Sequence, residues 1–500
     1  MNGAATANGH TSTHFDIIIV GSGLSGINCA YRVQELIPDS SFTILESRHE
    51  LGGTWSQFKY PGVRSDSDLH TLGFQFYPWK ASHAIASGDS IMDYLHETAD
   101  KFGIKKHIRY RHKVLRADWR TDQQRWKVDV SISSDNREVA PRTVTYWTKW
   151  LIMGSGYYSY DEPLKALIPG LDNFKGKTVH PQFWPEDLDY KGKKMVIIGS
   201  GATTITLLPA LVDTGVGSVT QLQRSPSYVM SVPQENPNWW EKFAPEWFVL
   251  RYKRFVFTLL PFFLYYFCQA FPARAAAFLR KEAKRQLPAD FPMDPHFKPG
   301  YNPWQQRLCL CPDGDYFKCF ASGRAHVVTD TIKNVVSDGI ELTSGQKLDA
   351  DIIVTATGLN MRFLGGVDFS VDGKKVDIPS QHLWQFSMLT GVPNLGNIMG
   401  YWNASWTLGS DTASRLFVRL IKHQNENGFT SVTPAISDED KKREVLASPL
   451  NSTYVKSALN GMPKCAERGP WRPRQNYFVD RWKAERCDLN DGLKWEKVST

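Results

Sequence analysis

The stretch Phe15-Asp-Ile-Ile-Ile-Val-Gly-Ser-Gly-Leu-Ser-Gly26 decides the fold. Apart from Asp16, residues 15–20 are apolar and rich in β-branched side chains, which predicts a strand buried on both faces. An apolar helical pattern follows over Leu24–Leu36. The glycines between them permit a tight turn and a close backbone approach, so that a pyrophosphate can lie at the N-terminus of the helix. A further strand is expected over Phe42–Leu45, and the three elements together predict a βαβ unit.

Glu46 supports the interpretation of this turn as a nucleotide site. A lone G-x-G-x-x-G pattern is weak evidence, but Glu46 ends the next strand about twenty residues after the last glycine. A carboxylate at that place can accept hydrogen bonds from both hydroxyls of a ribose. The first nucleotide site is therefore predicted to use Gly21, Gly23, Gly26 and Glu46.

The same pattern returns near the middle of the chain. Strands are predicted over residues 195–198 and 219–222, with a helix over 202–211 that opens at the turn Gly199-Ser-Gly-Ala-Thr-Thr204. Thr204 departs from the fingerprint, in which a small residue is usual, and this implies a looser contact between helix and strand. Two such units predict two nucleotide sites.

Arg224 indicates which nucleotide the second unit binds. No acidic residue stands at the tip of the preceding strand, where a carboxylate would repel a 2′-phosphate, and Arg224 can bind that phosphate. NADPH is therefore predicted in preference to NADH. The alternative, that Arg224 is an ordinary surface arginine, stays open.

Composition argues against several other classes. The chain has 500 residues and a net charge of +8, but its basic residues are spread along the sequence, which disfavours nucleic acid as a partner. Seven cysteines at irregular spacing argue against a disulfide framework and predict a reducing, cytoplasmic setting. Cys309 and Cys311 lack a second pair at zinc-ligand spacing, so no metal site is predicted.

Residues 1–14 are small and polar and are expected to form a disordered tail. They lack the basic start and the apolar run of a secretory signal, so no such signal is predicted.

The segment 255–273 raises the question of a membrane. It carries no charged residue and is long enough for a span, but Pro261, Gln269 and Pro272 argue against one. A buried helix or a pocket wall is the preferred interpretation, and contact with a membrane surface is the alternative.

Two further motifs narrow the class. Phe174-Lys-Gly-Lys-Thr-Val-His-Pro-Gln-Phe-Trp-Pro185 fits F-x-G-x-x-x-H-x-x-x-W-P, and Gly52-Gly-Thr-Trp-Ser-Gln-Phe-Lys-Tyr-Pro-Gly-Val-Arg-Ser-Asp66 fits G-G-x-W-x4-Y-P-G-x3-D. At these residues the chain resembles the type I Baeyer–Villiger monooxygenases, and the runs at 60–68, 302–310 and 403–407 resemble their ethionamide-activating branch. Disulfide reductases also have two nucleotide turns, but they need a redox cysteine pair, and Cys29 stands alone in its helix.

The resemblance implies FAD and NADPH as cofactors and assigns residues to each. It places Gly21, Gly23, Ser25, Gly26, Glu46, Thr54, Trp55, Ser56, Gln57, Asp66 and Val114 at FAD, and Arg64, Ser65, Gly199, Ser200, Gly201, Ala202, Thr203, Thr204, Ile205, Arg224 and Ser225 at NADP. It implies that Arg307 stabilises the anionic adduct formed on a ketone, with Asp66 holding the guanidinium in place. His180 and Trp184 would act in conformational change. Gln306 departs from the family pattern, because many members carry there a lysine that helps to bind the 2′-phosphate.

The elements and motifs together predict an α/β fold. It has two Rossmann-like dinucleotide-binding domains, for FAD and NADP, with a helical insertion in the NADP domain. The expected ranges are 15–160 for the first part of the FAD domain, 175–232 for the first part of the NADP domain, 233–303 for the insertion, 304–358 for the second part of the NADP domain, and 359–500 for the completion of the FAD domain and the C-terminal segment.

The activity implied by the resemblance is the NADPH- and O2-dependent oxygenation of ketones to esters or lactones through a C4a-peroxyflavin, with sulfoxidation as a side activity. The substrate would thus be a small ketone or sulfide. A heteroatom-oxidising flavin monooxygenase is the alternative, although its fingerprint usually lacks the Trp184-Pro185 ending and it needs no arginine over the flavin. A non-catalytic, membrane-associated binding protein is a third hypothesis, supported only by residues 255–273.

Overall fold

The computed structural model describes residues 13–136, 138–235, 238–448, 450 and 452–498. The predicted tail over 1–14 lies mostly outside these residues. Its last residue was assigned wrongly, because His14 begins the first strand. The reason is backbone pairing: the carbonyl oxygen of Thr13 accepts a hydrogen bond from the amide of Trp147 at 2.8 Å, so the neighbouring strand extends the first strand beyond its apolar run.

The regular elements of the described residues are numbered along the chain. The strands are β1 (His14–Val20), β2 (Phe42–Leu45), β3 (Ile108–Arg109), β4 (His112–Arg120), β5 (Arg125–Ile132), β6 (Arg142–Met153), β7 (Lys177–Val179), β8 (Lys194–Ile198), β9 (Ser218–Gln223), β10 (Val229–Val232), β11 (Cys309–Pro312), β12 (Ala325–Thr329), β13 (Ile332–Val336), β14 (Gly339–Leu342), β15 (Lys347–Asp349), β16 (Ile352–Thr355), β17 (Asp368–Val371), β18 (Lys374–Lys375), β19 (Leu383–Trp384), β20 (Met388–Leu389), β21 (Leu395–Asn397), β22 (Ser431–Pro434), β23 (Glu444–Val445), β24 (Cys465–Ala466) and β25 (Leu493–Glu496). The helices are α1 (Leu24–Leu36), α2 (Thr54–Gln57), α3 (Leu69–Leu72), α4 (Gly88–Lys101), α5 (Ala202–Asp213), α6 (Glu246–Ala270), α7 (Pro272–Gln286), α8 (Asp315–Lys318), α9 (Trp406–Asn427), α10 (Asp438–Lys441), α11 (Thr453–Leu459) and α12 (Tyr477–Arg486).

The first sheet forms around the N-terminal βαβ unit. Its strands lie in the order β18-β17-β4-β5-β6-β1-β2-β3, and β21 also pairs with β6. Strand β1 pairs in parallel with β2 and β6, whereas β5 pairs antiparallel with both β4 and β6. The predicted helix and second strand have the expected bounds, so this unit is confirmed. Strands β17, β18 and β21 join the sheet from the C-terminal part of the chain.

The second sheet has five parallel strands in the order β12-β9-β8-β16-β7. The strands predicted over 195–198 and 219–222 lie within β8 and β9, and α5 runs between them. Two parallel βαβ units, each with a glycine turn at the start of its helix, confirm the predicted α/β class with two dinucleotide-binding domains.

The insertion between β10 and β11 contains α6 and α7, which meet at a bend of 120°. Pro261 lies inside α6 without ending it. The interpretation of 255–273 as a buried helix is wrong, because Cys268 is the only buried residue of α6. The interpretation as a pocket wall is confirmed, since α6 lines a cavity. From Phe255 onward the helix is apolar on every side, so its periodicity could not show which face would be covered.

The bent pair also bears on the question of a membrane span. Within the described part of the chain, no single helix is long and apolar enough to cross a bilayer. Helices α6 and α7 meet that criterion only together, and by length and composition alone.

Asp411 joins three helices in the interior of the first domain. Its buried carboxylate accepts hydrogen bonds from Arg32 of α1 at 2.6 Å, from Arg415 of α9 at 3.0 Å and from Arg481 of α12 at 2.8 Å. Burial by itself would raise the pKa of Asp411, but the guanidinium groups of Arg32 and Arg415 hold it below the ordinary carboxyl value. The C-terminal helices are thus attached to α1 by charge as well as by apolar packing.

We expect Asp411→Ala to lower the free energy of unfolding by about 3–5 kcal/mol, because the substitution leaves buried guanidinium groups without their anion. Urea unfolding followed by tryptophan fluorescence measures the change. Asp368→Ala is the matched control, since that carboxylate is largely exposed and its ion pair with Lys375 is 3.6 Å long. Equal stability of the two variants would contradict the assignment of Asp411 as the link between these helices.

Candidate active site

The first glycine turn brings backbone into contact with backbone. At Gly26 a β-carbon would lie 1.8 Å from the carbonyl oxygen of Gly21, so no larger residue fits. Gly21 has a φ of +97°, and a β-carbon there would lie 2.8 Å from the carbonyl oxygen of Gly154. These contacts hold the start of α1 against the ends of β1 and β6. A phosphate can therefore approach the N-terminus of the helix.

Glu46 lies buried beside this turn, after the end of β2. Its carboxylate accepts hydrogen bonds from the amide and the hydroxyl of Ser22, at 2.7 and 2.8 Å, and from the amide of Arg48 at 2.9 Å. The hydroxyl of Ser47 also donates to this carboxylate, but over 3.4 Å, so a ribose hydroxyl can take over that acceptor position. Glu46 also lines the cavity next to the turn.

This cavity, the nucleotide cavity, has a volume of about 320 Å³. The predicted FAD residues that line it are Gly21, Gly23, Ser25, Glu46, Thr54, Trp55, Asp66 and Val114. Gly26, Ser56 and Gln57 do not line it. Gly26 packs against Gly21, whereas Ser56 and Gln57 both contact the side chain of Arg48. Arg48 does line the cavity, so Ser56 and Gln57 contact a residue of the cavity wall.

The nucleotide cavity fits a bound dinucleotide. Glycines from three segments line it, namely 21–23, 52–53 and 154–156, so the backbone can approach a ligand closely. The hydroxyl of Ser155 is buried there and has no hydrogen-bond partner within the described part of the chain. A buried polar group without a partner is rare in proteins, and a ligand would supply the partner. The residues present therefore fit FAD.

Residues 154–160 and Trp406 belong to this cavity and were missed by sequence reasoning. Gly154-Ser-Gly156 follows the apolar end of β6, so a third glycine turn after a strand was a signal that could have found it. The indole of Trp406 donates to the hydroxyl of Ser25 at 2.8 Å, and its ring stacks on Tyr157 with centroids 5.0 Å apart. Trp406 lies in the run 403–407, which carries part of the resemblance but gave it no place at a cofactor, and it reaches the site because α9 packs on α1.

The second glycine turn has a close backbone contact at its first glycine only. A β-carbon at Gly199 would lie 2.2 Å from the carbonyl oxygen of Ala356, whereas nothing lies within 4 Å of one at Gly201. The hydroxyl of Ser200 donates to the carbonyl oxygen of Ser225 at 2.8 Å, which holds the turn beside the segment that follows β9. The second turn is therefore more open than the first.

Besides the turn residues 199–201, the residues predicted at NADP lie in three kinds of place. Three of them line the nucleotide cavity: Arg64, Ala202 and Thr203. Three others are buried, namely Ser65, Thr204 and Ile205, and the last two, Arg224 and Ser225, are exposed beyond the end of β9. Ser65 exchanges two hydrogen bonds with Ala86, of 2.9 and 3.2 Å, and lines neither this cavity nor the larger one described below. Thr204 is fully buried, so the expected loosening of the contact between helix and strand does not open it to solvent.

The two domains meet where the Tyr60-Pro-Gly62 turn packs against α5. The hydroxyl of Tyr60 lies 3.2 Å from that of Thr206, and a β-carbon at Gly62 would lie 2.5 Å from the carbonyl oxygen of Thr206. Two residues further on, the guanidinium of Arg64 forms an ion pair with Asp315, whose Oδ1 lies 3.1 Å from Nη2. The shape of this turn is thus explained by contact between the domains.

Asp66 and Arg307 form the predicted ion pair, in the wall between two cavities. The Nε atom of Arg307 lies 3.0 Å from Oδ2 of Asp66, and about a third of each side chain is exposed. Both residues line the nucleotide cavity and a second, larger one of about 620 Å³. This apolar cavity takes most of its wall from side chains such as Val256, Phe257, Leu264, Trp304, Leu308 and Leu310.

His180 and Trp184 lie in the segment that links the two domains. His180 follows β7, and burial lowers the pKa of its ring, so the imidazole is neutral at neutral pH. In the same segment the carbonyl oxygen of Gln182 accepts a hydrogen bond from the side chain of Gln57 at 3.1 Å. Neither His180 nor Trp184 lines either cavity. Their part in conformational change stays a prediction.

Comparisons with known proteins agree with a class that has two dinucleotide-binding domains. The FMO-like family model, described as flavin-binding monooxygenase-like, matches residues 15–269. The FAD-containing monooxygenase EthA of Mycolicibacterium smegmatis is 45% identical over 472 residues, which are 93% of this chain and 94% of that protein. The solved structure of an oxidized steroid monooxygenase bound to NADP has a TM-score of 0.74 at 19% identity, covering 97% of this chain and all of that one. The OTEMO complex with FAD and NADP has a TM-score of 0.72 at 18% identity, covering 96% and 99%.

The chain therefore belongs to the flavin-binding monooxygenase-like family. The resemblance stated from the motifs is confirmed by this family and by the similarity to EthA. The predicted cofactors, FAD and NADP, are the two that the OTEMO complex contains.

We expect Gly26→Ala to lower the flavin content of the purified protein by about tenfold or more, because a methyl group cannot occupy the space in front of the Gly21 carbonyl. The ratio of flavin to protein absorbance measures the content. Gly300→Ala is the matched control, since nothing lies within 4 Å of a β-carbon there. Full flavin content in the Gly26 variant would show that the turn does not hold the cofactor.

Proposed function

We propose that the protein is a Baeyer–Villiger monooxygenase, which uses NADPH and O2 to convert a ketone into an ester or a lactone. One oxygen atom of O2 enters between the carbonyl carbon and a neighbouring carbon. The other leaves as water, with the hydride of NADPH and a proton from solvent, and NADPH becomes NADP⁺. Bound FAD supplies the activation of oxygen. The observation that carries the proposal is the Arg307–Asp66 ion pair in the wall between the nucleotide cavity and the apolar cavity.

Arg307 stabilises negative charge on the substrate. Addition of oxygen to a ketone makes the former carbonyl oxygen an anion, and a guanidinium can bind that anion without giving up its own proton. Asp66 is a positioning residue, because its carboxylate lies 3.0 Å from Nε and fixes the orientation of the guanidinium.

The ketone binds in the apolar cavity. A volume of about 620 Å³ is typical of small-molecule sites, and the mainly apolar wall accepts alkyl or aryl groups while it keeps water from the reacting atoms. The guanidinium of Arg307 at the border with the nucleotide cavity orients the carbonyl, since a carbonyl that is buried without a hydrogen bond is costly. Substrate and flavin thus approach each other at Arg307 and Asp66.

The remaining predicted residues serve the cofactors. FAD would lie along the nucleotide cavity, with its pyrophosphate at the N-terminus of α1 and a ribose at Glu46. NADP would lie at the second turn, with Arg224 binding the 2′-phosphate. His180 and Trp184 would transmit domain movement during the cycle, because their segment joins both domains.

We expect Arg307→Ala to lower the rate of ester formation from phenylacetone or 2-octanone by about 100-fold or more, because it removes the group that stabilises the anionic adduct. Gas chromatography of the products measures the rate, with Arg324→Ala as a control at an exposed arginine. Undiminished ester formation would rule out this mechanism. A wild type that oxidises sulfides but yields no ester from either ketone would favour the heteroatom-oxidising alternative.

We expect Arg224→Ala to raise the KM for NADPH by about tenfold or more and to leave the KM for NADH unchanged, because only NADPH carries the phosphate that the guanidinium binds. Steady-state oxidation of the two nucleotides gives both constants, and the Arg324→Ala control should change neither. An equal change in the KM for NADPH and for NADH would mean that Arg224 does not bind the 2′-phosphate.

A further inference from the structure

More than half of the large hydrophobic side chains that are exposed in the described part of the chain lie within residues 239–278. Six of them lie on α6, on α7 or at the bend between the two helices: Trp247, Phe255, Phe263, Phe267, Phe271 and Phe278. Trp247, Phe255 and Phe263 are each about 60% exposed. An apolar patch of this extent on one side of a protein marks a surface that binds a partner.

The patch continues on the C-terminal helix α12. Phe478 of α12 packs edge-on against Phe262, with ring centroids 5.4 Å apart, and Trp482 one turn later is also exposed. Elements far apart in sequence thus contribute to the same apolar surface, which we call the aromatic face, formed by the exposed side chains of α6, α7 and α12.

The charge of this region is positive. Helices α6 and α7 carry two acidic residues, and each is already paired: Glu246 with Lys80 at 3.2 Å and Glu282 with Arg285 at 2.8 Å. Cations are interleaved with the aromatic rings. The guanidinium of Arg251 lies over the ring of Trp247 and that of Arg274 over Phe271, each 5.4 Å from the ring centroid.

We propose that the aromatic face binds the surface of a lipid bilayer that carries anionic headgroups. Aromatic side chains with flanking arginines and lysines are the composition of helices that lie in the plane of a membrane interface, where rings enter the acyl boundary and cations meet phosphate groups. The bend of 120° between α6 and α7 lets both helices lie along a surface. A second copy of the chain fits less well, because a two-fold contact would bring equal positive charges together.

The aromatic face also borders the apolar cavity. Tyr252, Leu260 and Tyr266 are exposed on α6 and line the cavity as well. A protein bound through this face would hold the cavity beside the bilayer, where apolar molecules are concentrated.

Flotation of the FAD-loaded full chain with lipid vesicles tests the proposal. We expect the protein to float with vesicles of phosphatidylcholine and phosphatidylglycerol in about a 3:1 ratio, more weakly with phosphatidylcholine alone, and less as salt is raised. The triple variant F255S/F263S/F267S should bind about tenfold or more weakly. None of these three residues lines either cavity, so its flavin content and its turnover of a water-soluble ketone should stay at the wild-type level.

The control variant is V139S/L167S/L446S, which removes three exposed apolar side chains outside the aromatic face and should float like the wild type. Failure of the wild type to float with either vesicle overturns the proposal, as does equal binding by the two triple variants. Sedimentation velocity tests the alternative occupant of the aromatic face, a second copy of the chain. A wild-type dimer that F255S/F263S/F267S converts into a monomer, with no vesicle binding, would make the aromatic face an interface between copies.

Discussion

The close contact between the Tyr60-Pro-Gly62 turn and α5 is the constraint on which the site depends. Gly62 has a φ of +78°, and a β-carbon there would lie 2.5 Å from the carbonyl oxygen of Thr206 and 2.6 Å from the β-carbon of Ala210. Only glycine satisfies both the backbone conformation and the space. The contact at Gly62, four residues before Asp66, therefore fixes how closely the two domains approach each other. A wider gap between the domains would separate Asp66 from Arg307.

The two ion pairs that follow this contact differ in how firmly they join the domains. Arg64 is largely buried and pairs with Asp315, whereas the side chains of Asp66 and Arg307 are each about a third exposed. An exposed ion pair contributes about 0–1 kcal/mol, so the Asp66–Arg307 pair can position the guanidinium without fixing the domains to each other. A monooxygenase site that has to admit a nucleotide, a small organic substrate and oxygen in one cycle benefits from such a contact, because it can break and form again at little cost.

The sequence was sufficient for the parts of the site that depend on local backbone geometry. Both βαβ units and the residues at their turns follow from apolar runs and glycine spacing, with Glu46 as support for the first unit, because those patterns lie within about thirty residues. The pairing of Asp66 with Arg307 was reached only through resemblance, because no periodicity relates residues so far apart in the chain. Trp406 lies in the run 403–407 that carries part of the resemblance, but its place in the nucleotide cavity was missed, because its contact with Ser25 exists only where α9 packs on α1. The burial of α6 was predicted wrongly because a helix that is apolar all round carries no information on its covered side.

The exposure of α6 has a physical consequence for the substrate. Apolar surface left in water costs about 25 cal/mol per Å², so a helix of 25 residues with one buried residue is unfavourable unless something covers its outer side. Its inner side lines the cavity beside Arg307, and the wall of that cavity is mainly apolar. With the proposed bilayer on its outer side and the proposed role of Arg307 on its inner side, α6 favours one kind of molecule: it leaves water readily, it dissolves in lipid, and it carries a single polar group for the guanidinium to bind. For the proposed oxygenation, this reasoning favours a long-chain or aromatic ketone over a small polar one, which would gain little from either side of the helix.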